Sequence, residues 1–215
     1  VSCTVFTRGC NFRCPYCHNP SLVDPSAFDN SSVDEEEVLS YLESRKKMLE
    51  SVVVTGGEPT MHRGIEDFYR KVKAMGFYTK LDTNGTNPEF LGRLLELSLI
   101  DYAAMDFKAP FEKYDLVGGE KYVEKMKESL KILSSSSVQW EIRTTCAPSV
   151  VKREDLQRIS EYMEGLACKY TWYLQNFNPA VTLNSDLHEE HAYEPGVLEK
   201  YAAELTTLRG TVLVR

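Results

Sequence analysis

The sequence predicts an α/β protein: a parallel sheet with helices outside it, curved into part of a barrel. Three observations predict it: six strand-like runs each followed by a helical stripe, no long linker between them, and unusual residues at the strands' carboxyl ends. Right-handed crossovers would curve six such units into a partial (β/α)6 barrel of the TIM-like kind. At 215 residues the chain can bury a substantial core, and one domain, residues 1–215, is expected.

Ser2 to Thr7 is a β-rich run leading straight into a cysteine loop. A polar stretch, Ser21 to Ser32, precedes a helix; Ser32 and Glu35 are placed as a capping box, and Asp34 to Glu37 suit the positive end of the helix dipole. Val38, Tyr41, Leu42 and Leu49 share one face of it. Ser51 to Thr55 reads SVVVT, a buried-type strand ended by Gly56-Gly57. Ile65, Phe68, Tyr69, Val72 and Met75 stripe the next helix, which Gly76 stops. Phe77 to Leu81 is a strand running into Asp82-Thr83-Asn84-Gly85. Asn87 and Pro88 are a good cap and first residue for a helix carrying Phe90, Leu91, Leu94 and Leu95.

Tyr102 to Phe107 is the fourth strand, and Tyr122, Met126, Leu130 and Leu133 stripe the helix after it. Four serines, Ser134 to Ser137, link this helix to a fifth strand near Val138 to Thr145. Leu156, Ile159, Met163 and Leu166 define a further helix and Tyr170 to Leu174 the sixth strand. Val197, Leu198, Tyr201, Leu205 and Leu208 stripe the last helix. The cysteine loop, Gly56-Gly57-Glu58-Pro59, Asp82 to Gly85, Asp106 with Lys108, Arg143 with Thr144, and Gln175 to Phe177 all fall at strand carboxyl ends. In a parallel barrel those ends share the rim where ligands bind.

Lys plus Arg number 25 against 32 Asp plus Glu, a net charge of −7, which gives no overall reason to hold a nucleic acid backbone. No apolar run is long enough to span a bilayer and no charged leader precedes one, so a soluble, cytoplasmic protein without membrane contact is expected. The chain opens on Val1 inside a strand, which leaves open whether residues precede it. Six cysteines in such a protein suggest metal chemistry rather than disulfides. Cys3, Cys146 and Cys168 are isolated in or beside apolar segments and read as inert thiols.

Residues Gly9 to Pro20 read GCNFRCPYCHNP. Cys10, Cys14 and Cys17 are spaced so that one short loop can aim all three sulfurs at a single soft metal centre. A closed zinc site or an electron-transfer cluster wants four protein ligands, whereas three leave a position free for something that reacts. Zinc would need a fourth ligand, with His18 the nearest candidate, and a disulfide would leave one thiol over. The spacing, Tyr16 before the last cysteine and the fillers Asn11 and Pro15 resemble the cluster loop of the radical S-adenosylmethionine (radical SAM) enzymes. The resemblance implies that Cys10, Cys14 and Cys17 hold three irons of a 4Fe-4S cluster whose fourth iron binds S-adenosylmethionine, and that the barrel is of the radical SAM type.

Two glycines let the backbone approach a ligand closely, and a carboxylate can accept from an ammonium group. Gly56, Gly57, Glu58 and Pro59 resemble the family motif that binds the amino group of the cofactor's methionine moiety. Asp82-Thr83-Asn84-Gly85 and Met105-Asp106-Phe107-Lys108 resemble two motifs of the glycyl-radical-enzyme activating branch. There Asp82 would line the methionine pocket with Thr83 and help hold a monovalent cation, while Asp106 and Lys108 reach the nucleoside and carboxylate end. Tyr16 belongs to the same cofactor set, and Arg143 assists the ribose or carboxylate unless it is only a surface ion pair. Alternation puts Asp106 and Lys108 on one face of their strand. Some activating enzymes end the sixth strand in a histidine; this chain has Leu174-Gln175-Asn176-Phe177, so that adenine contact does not carry over. His188 and His191 are spaced H-E-E-H and read as solvent-facing, and His62 has no evident partner.

The likeness runs from Ser2 through Pro179. It is strongest to the activating proteins of anaerobic ribonucleoside-triphosphate reductase, through VFTRGCNFRCPYCHNP, VTGGEP, KLDTNGTNP, DYAAMDFKAP and EIRTT. It implies reductive cleavage of S-adenosylmethionine to a 5′-deoxyadenosyl radical, hydrogen abstraction from a glycine of a partner glycyl radical enzyme (anaerobic ribonucleotide reductase first), and a low-potential electron donor such as flavodoxin or ferredoxin. The alternatives are an activase of another glycyl radical enzyme and a radical SAM enzyme acting on a small molecule, as 7-carboxy-7-deazaguanine synthase does. From a different class come an Fe–S electron carrier and a zinc-stabilised binding module.

Overall fold

Strict alternation of strand and helix leaves each helix to cross from one strand end to the start of the next, and the result is an all-parallel sheet. The computed structural model describes residues 1–28 and 32–215, so residues 29–31 of the polar stretch lie outside the described residues. Seven strands stand side by side in chain order: β1 (Ser2–Thr7), β2 (Ser51–Gly56), β3 (Tyr78–Thr83), β4 (Tyr102–Asp106), β5 (Gln139–Cys146), β6 (Tyr170–Asn176) and β7 (Gly210–Val214). Every neighbouring pair is parallel. β1 and β7 are the two edges, so the sheet is an incomplete barrel with an open side.

The helices are α1 (Pro20–Val23), α2 (Glu35–Arg45), α3 (Ile65–Ala74), α4 (Pro88–Glu96), α5 (Val123–Ser135), α6 (Arg153–Gly165) and α7 (Val197–Leu205). Their buried stripes follow the sequence periodicity: Ile65, Phe68, Tyr69 and Val72 on α3, Leu91 and Leu94 on α4, Met126, Leu130 and Leu133 on α5. These side chains join Val52, Val54, Leu81, Met105, Ile142, Trp172 and Leu174 of the strands in one continuous core. Asn87 caps α4 by accepting from Phe90 N, and Pro88 supplies its first turn.

Four expectations need correction. The sheet has a seventh strand, because Gly210–Val214 pairs with β6 beyond the last helix. The start of α2 is capped by Asp34, whose carboxylate accepts from Glu37 N at 2.9 Å, not by a box of Ser32 and Glu35. α2 ends at Arg45, so Leu49 lies past its stripe. α7 ends at Leu205, and Leu208 is fully exposed in the turn before β7.

Register places charge inside the curve of the sheet. Asp106 on β4 stands opposite Arg143 on β5, and Asp82 on β3 opposite Ala104, so these residues share one face. The alternate face of the same strands carries Leu81, Met105 and Ile142 into the core. Lys80 and Glu141 continue the charged row below; Glu141 takes the Tyr102 hydroxyl at 2.6 Å, with Lys80 Nζ at 3.5 Å and Arg215 Nη1 at 3.4 Å. No helix among the described residues is long and apolar enough to cross a membrane.

Candidate cofactor site

The loop after β1 and the turn after β2 are locked together before any side chain is considered. Gly57 N donates to Thr7 O and Glu58 N donates to Gly9 O, both at 2.8 Å, so the cysteine loop and the Gly-Gly turn move as one piece. A side chain on Gly57 would collide with the Gly9 backbone, and Gly56 adopts a positive φ of 118°. The pair of glycines is therefore required by this close approach.

Cys10, Cys14 and Cys17 line one cavity at the rim together with Tyr16, Gly56, Gly57, Asn84, Asp106, Lys108 and Arg143. Burial, the largest cause, pushes Cys10 up and Cys14 up to about 12, and the neighbouring loop thiols add to the rise at both. Lys108 works against that rise at both sulfurs. Among the described residues no three Cys, His, Asp or Glu side chains converge on a point where a single metal ion would sit. Three thiols on one cavity are the soft donor set that the irons of a cluster take. His18, the fourth ligand a zinc site would use, contacts Asn178 O at 3.1 Å and stacks on Phe177.

Arg143 is the hinge of the polar wall. Its Nη1 donates to Asp82 Oδ2 at 2.8 Å and its Nε to Asp106 Oδ1 at 2.9 Å, while Lys108 Nζ donates to Asp106 Oδ2 at 2.9 Å. Arg143 is only 13% exposed, so it is no surface ion pair. Burial would raise the Asp106 carboxyl, but Arg143 and Lys108 outweigh it and hold the group below the ordinary aspartate value. Asp82 Oδ1 is buried with no hydrogen-bond partner among the described residues; Lys80 Nζ, 3.4 Å away, forms an ion pair with it but not an aligned hydrogen bond. Tyr16 is buried with its hydroxyl on Lys108 O at 3.3 Å, joining the cysteine loop to the end of β4.

Glu58 sits behind the cavity wall and is fully buried. Its Oε1 accepts from Thr60 N at 3.1 Å, Thr60 Oγ1 at 2.6 Å and Thr83 Oγ1 at 2.7 Å, and its Oε2 from Asn84 N at 2.7 Å. Burial raises this carboxyl, and those four donors oppose the rise. The structure thus gives Glu58 and Thr83 the task of tying the end of β3 to the turn after β2, with Pro59 buried at the start of a short 3-10 turn. Glu58→Gln turns an amide N–H2 toward donors that need an acceptor. We expect it to cost about 1–3 kcal/mol, seen as a lower urea midpoint with an unchanged m-value; an unaltered midpoint would show that the four bonds do not hold the rim.

The sequence reading missed two residues here. Asn84 lines the cavity and Asn11 braces it, and neither signals this in sequence except by lying inside the quoted motifs. His62 does have a partner, Arg8 O at 2.7 Å, and His188 and His191 are exposed. Cys146 is buried, while Cys3 and Cys168 are half-buried free thiols away from the cavity.

Residues 4–164 match the radical SAM superfamily. The chain belongs to the radical SAM superfamily. Its family's cofactors are a 4Fe-4S cluster and S-adenosylmethionine. A Methanocaldococcus jannaschii protein named as a glycyl-radical enzyme activating enzyme is 33% identical over 185 residues, covering 83% of this chain and 74% of its own length. The pyruvate formate-lyase-activating enzyme of Staphylococcus epidermidis is 29% identical over 179 residues, covering 75% of this chain and 68% of its own. These relatives place the chain in the glycyl-radical-enzyme activating branch of the radical SAM superfamily. Among solved structures, Streptococcus suis SuiB bound to S-adenosylmethionine superimposes with a TM-score of 0.69 over all of this chain at 13% identity, a likeness of fold. The chain spans about 50% of that structure's length.

Proposed function

We propose that this radical SAM protein activates a glycyl radical enzyme, with Cys10, Cys14 and Cys17 as the protein ligands of the cluster. One observation carries the reading: three thiols of one loop line a single rim cavity together with Lys108 and Arg143. When bound, the cluster and S-adenosylmethionine supply reductive cleavage to methionine and a 5′-deoxyadenosyl radical that takes a hydrogen atom from glycine.

The chain's own residues bind and orient. Gly56 and Gly57 bring their backbone to the cavity wall without side chains, which suits the methionine amino end. Lys108 is the cation that meets the cofactor carboxylate, held in place by Asp106, and Arg143 bridges the Asp82 and Asp106 carboxylates. Asp82 Oδ1, buried and with no hydrogen-bond partner among the described residues beyond its Lys80 ion pair, is the oxygen that would take a monovalent cation. Tyr16, buried within the cluster loop, helps exclude water. Fixed groups of this kind act by pre-paid orientation and a dry, charged wall.

Anaerobic ribonucleotide reductase is the partner we place first, on the likeness of the five stretches quoted above; pyruvate formate-lyase is the second reading, favoured by the second relative. The open side between β1 and β7 gives a peptide loop a route to the cavity. A low-potential donor such as flavodoxin or ferredoxin supplies the electron, and the cytoplasm is the compartment that keeps these thiols reduced.

Removing the Lys108 ammonium loses a charge-assisted contact of roughly 1.5–3 kcal/mol, so Lys108→Ala should weaken S-adenosylmethionine binding about ten- to a hundredfold by calorimetry. Unchanged affinity would remove Lys108 from the pocket. The function itself is tested by anaerobic reconstitution and measurement of 5′-deoxyadenosine and methionine with each candidate partner. Cleavage stimulated by a glycyl radical enzyme is expected, and turnover of a small metabolite alone would overturn the reading.

A further inference from the structure

A closed ring of three side chains aims an amide N–H at one cysteine of the loop. Asn84 is buried, 4% exposed, so each of its polar atoms needs a partner. Thr86 N donates to the Asn84 carboxamide at 3.1 Å. A backbone N–H can only donate, so the atom facing it is the oxygen, Oδ1. Thr86 Oγ1 donates to the same oxygen at 2.8 Å. The Asn84 amide nitrogen must then face the other way, with one N–H on Asn11 Oδ1 at 2.8 Å and the other directed at Cys10 Sγ, 3.9 Å away.

Asn11 closes the ring by donating from Nδ2 to Thr86 Oγ1 at 2.8 Å. The threonine's single hydrogen is already spent on Asn84, so every donor and acceptor in the ring is determined. The backbone of Asn84 is held independently by Glu58 Oε2 at 2.7 Å. Cys10 Sγ also receives Phe12 N at 3.4 Å.

We propose that Asn84 tunes the cluster: its second amide N–H donates to the Cys10 sulfur and raises the one-electron reduction potential, while Asn11 and Thr86 hold the amide in that orientation. This rests on Cys10 being a cluster ligand. The reduction adds one electron, supplied by a low-potential one-electron donor, and makes or breaks no bond; the amide proton stays on Asn84 Nδ2. The added negative charge is shared with the ligand sulfurs, so a hydrogen bond to one of them stabilises the reduced cluster more than the oxidised one. Asn84 is a positioning and tuning residue, and it sets how weak a reductant can still load the enzyme.

The test is a redox titration with dithionite, followed by electron paramagnetic resonance, on the anaerobically reconstituted full chain, with iron and sulfide counted in the same samples. Asn84→Leu keeps the volume and removes the donor. We expect its cluster to be about tenfold harder to reduce at a fixed ambient potential, a midpoint lower by about 59 mV for a one-electron couple. Thr86→Val, which removes one of the two donors that hold the amide oxygen and the acceptor that holds Asn11, should move the midpoint the same way by less. A purely structural role would lower iron content and leave the midpoint of the remaining cluster where it was. An unchanged midpoint in Asn84→Leu at full iron content overturns the proposal. Should Asn84→Leu fail to assemble a cluster, Asn84→Ala, which also removes the donor, decides by the same criterion. Cys10→Ser keeps the two failures apart, because a normal cluster in that variant would sink the ligand assignment itself.

Discussion

Cys14→Ser is expected to leave the protein folded and without its cluster. Cys14 is the most enclosed of the three loop thiols, 7% exposed, and burial pushes it up to about 12, so at neutral pH it keeps its proton until a metal takes the sulfur. Burial of that kind holds the sulfur in one place, and Cys17 N on Cys14 O at 3.0 Å fixes the turn around it. A serine oxygen is a poor ligand for iron in a site built for soft thiolate. Iron and sulfide per chain after anaerobic reconstitution should fall to near zero for Cys14→Ser, and likewise for Cys10→Ser and Cys17→Ser. Cys3→Ser, Cys146→Ser and Cys168→Ser should retain both, since none of these thiols lines the cavity. Retention of a normal cluster in Cys14→Ser would refute the assignment.

Arg143→Met should be the most damaging change in the polar wall. It fills similar volume but leaves Asp82 and Asp106, 11% and 22% exposed, facing each other without the cation that bridges them. Breaking a buried pair by removing one partner costs about 3–5 kcal/mol, because an uncompensated charge stays behind. Lys108 still pairs with Asp106, and Lys80 with Asp82, so the variant loses the bridge between the two carboxylates rather than every cation beside them. The pH dependence has a definite sign. Asp106 is held below its ordinary value of 3.8, so its stabilising contribution is present above that value and is lost as pH falls through the lowered folded value. The stability gap between wild type and Arg143→Met should therefore be full at neutral pH and narrow below about pH 3.8. Urea unfolding of the two proteins across that range checks both magnitude and sign. A gap that widens in acid would contradict the assigned bridge.

Most of the barrel was legible because strand and helix differ in period, and each of the first six strands is followed by a stripe of 3.6-residue repeat. β7 was not. It is a five-residue edge strand, and its register with β6 shows only in three dimensions. The three thiols could be read from spacing alone, since they share one short loop. Arg143 could not: a basic residue at a strand end is exposed or bridging according to what the strands beside it carry, and here β4 and, beyond it, β3 each present an aspartate. Glu58 shows the opposite case. Its motif marked it plainly, but only the closure of four hydrogen bonds reveals that its carboxylate faces the end of β3 rather than the cavity. Asn84 lay inside a quoted motif and went unremarked, because its role depends on which way an amide turns.

The most direct measurement is electron paramagnetic resonance on the reconstituted protein mixed with anaerobic ribonucleotide reductase, S-adenosylmethionine and a reductant under oxygen-free conditions. The account predicts a glycyl radical on the partner, seen as a doublet that disappears when the partner's radical glycine is replaced by alanine and when Cys14→Ser replaces the wild-type chain. S-adenosylmethionine cleavage coupled to turnover of a free metabolite, with no radical on any glycyl radical enzyme, would contradict it.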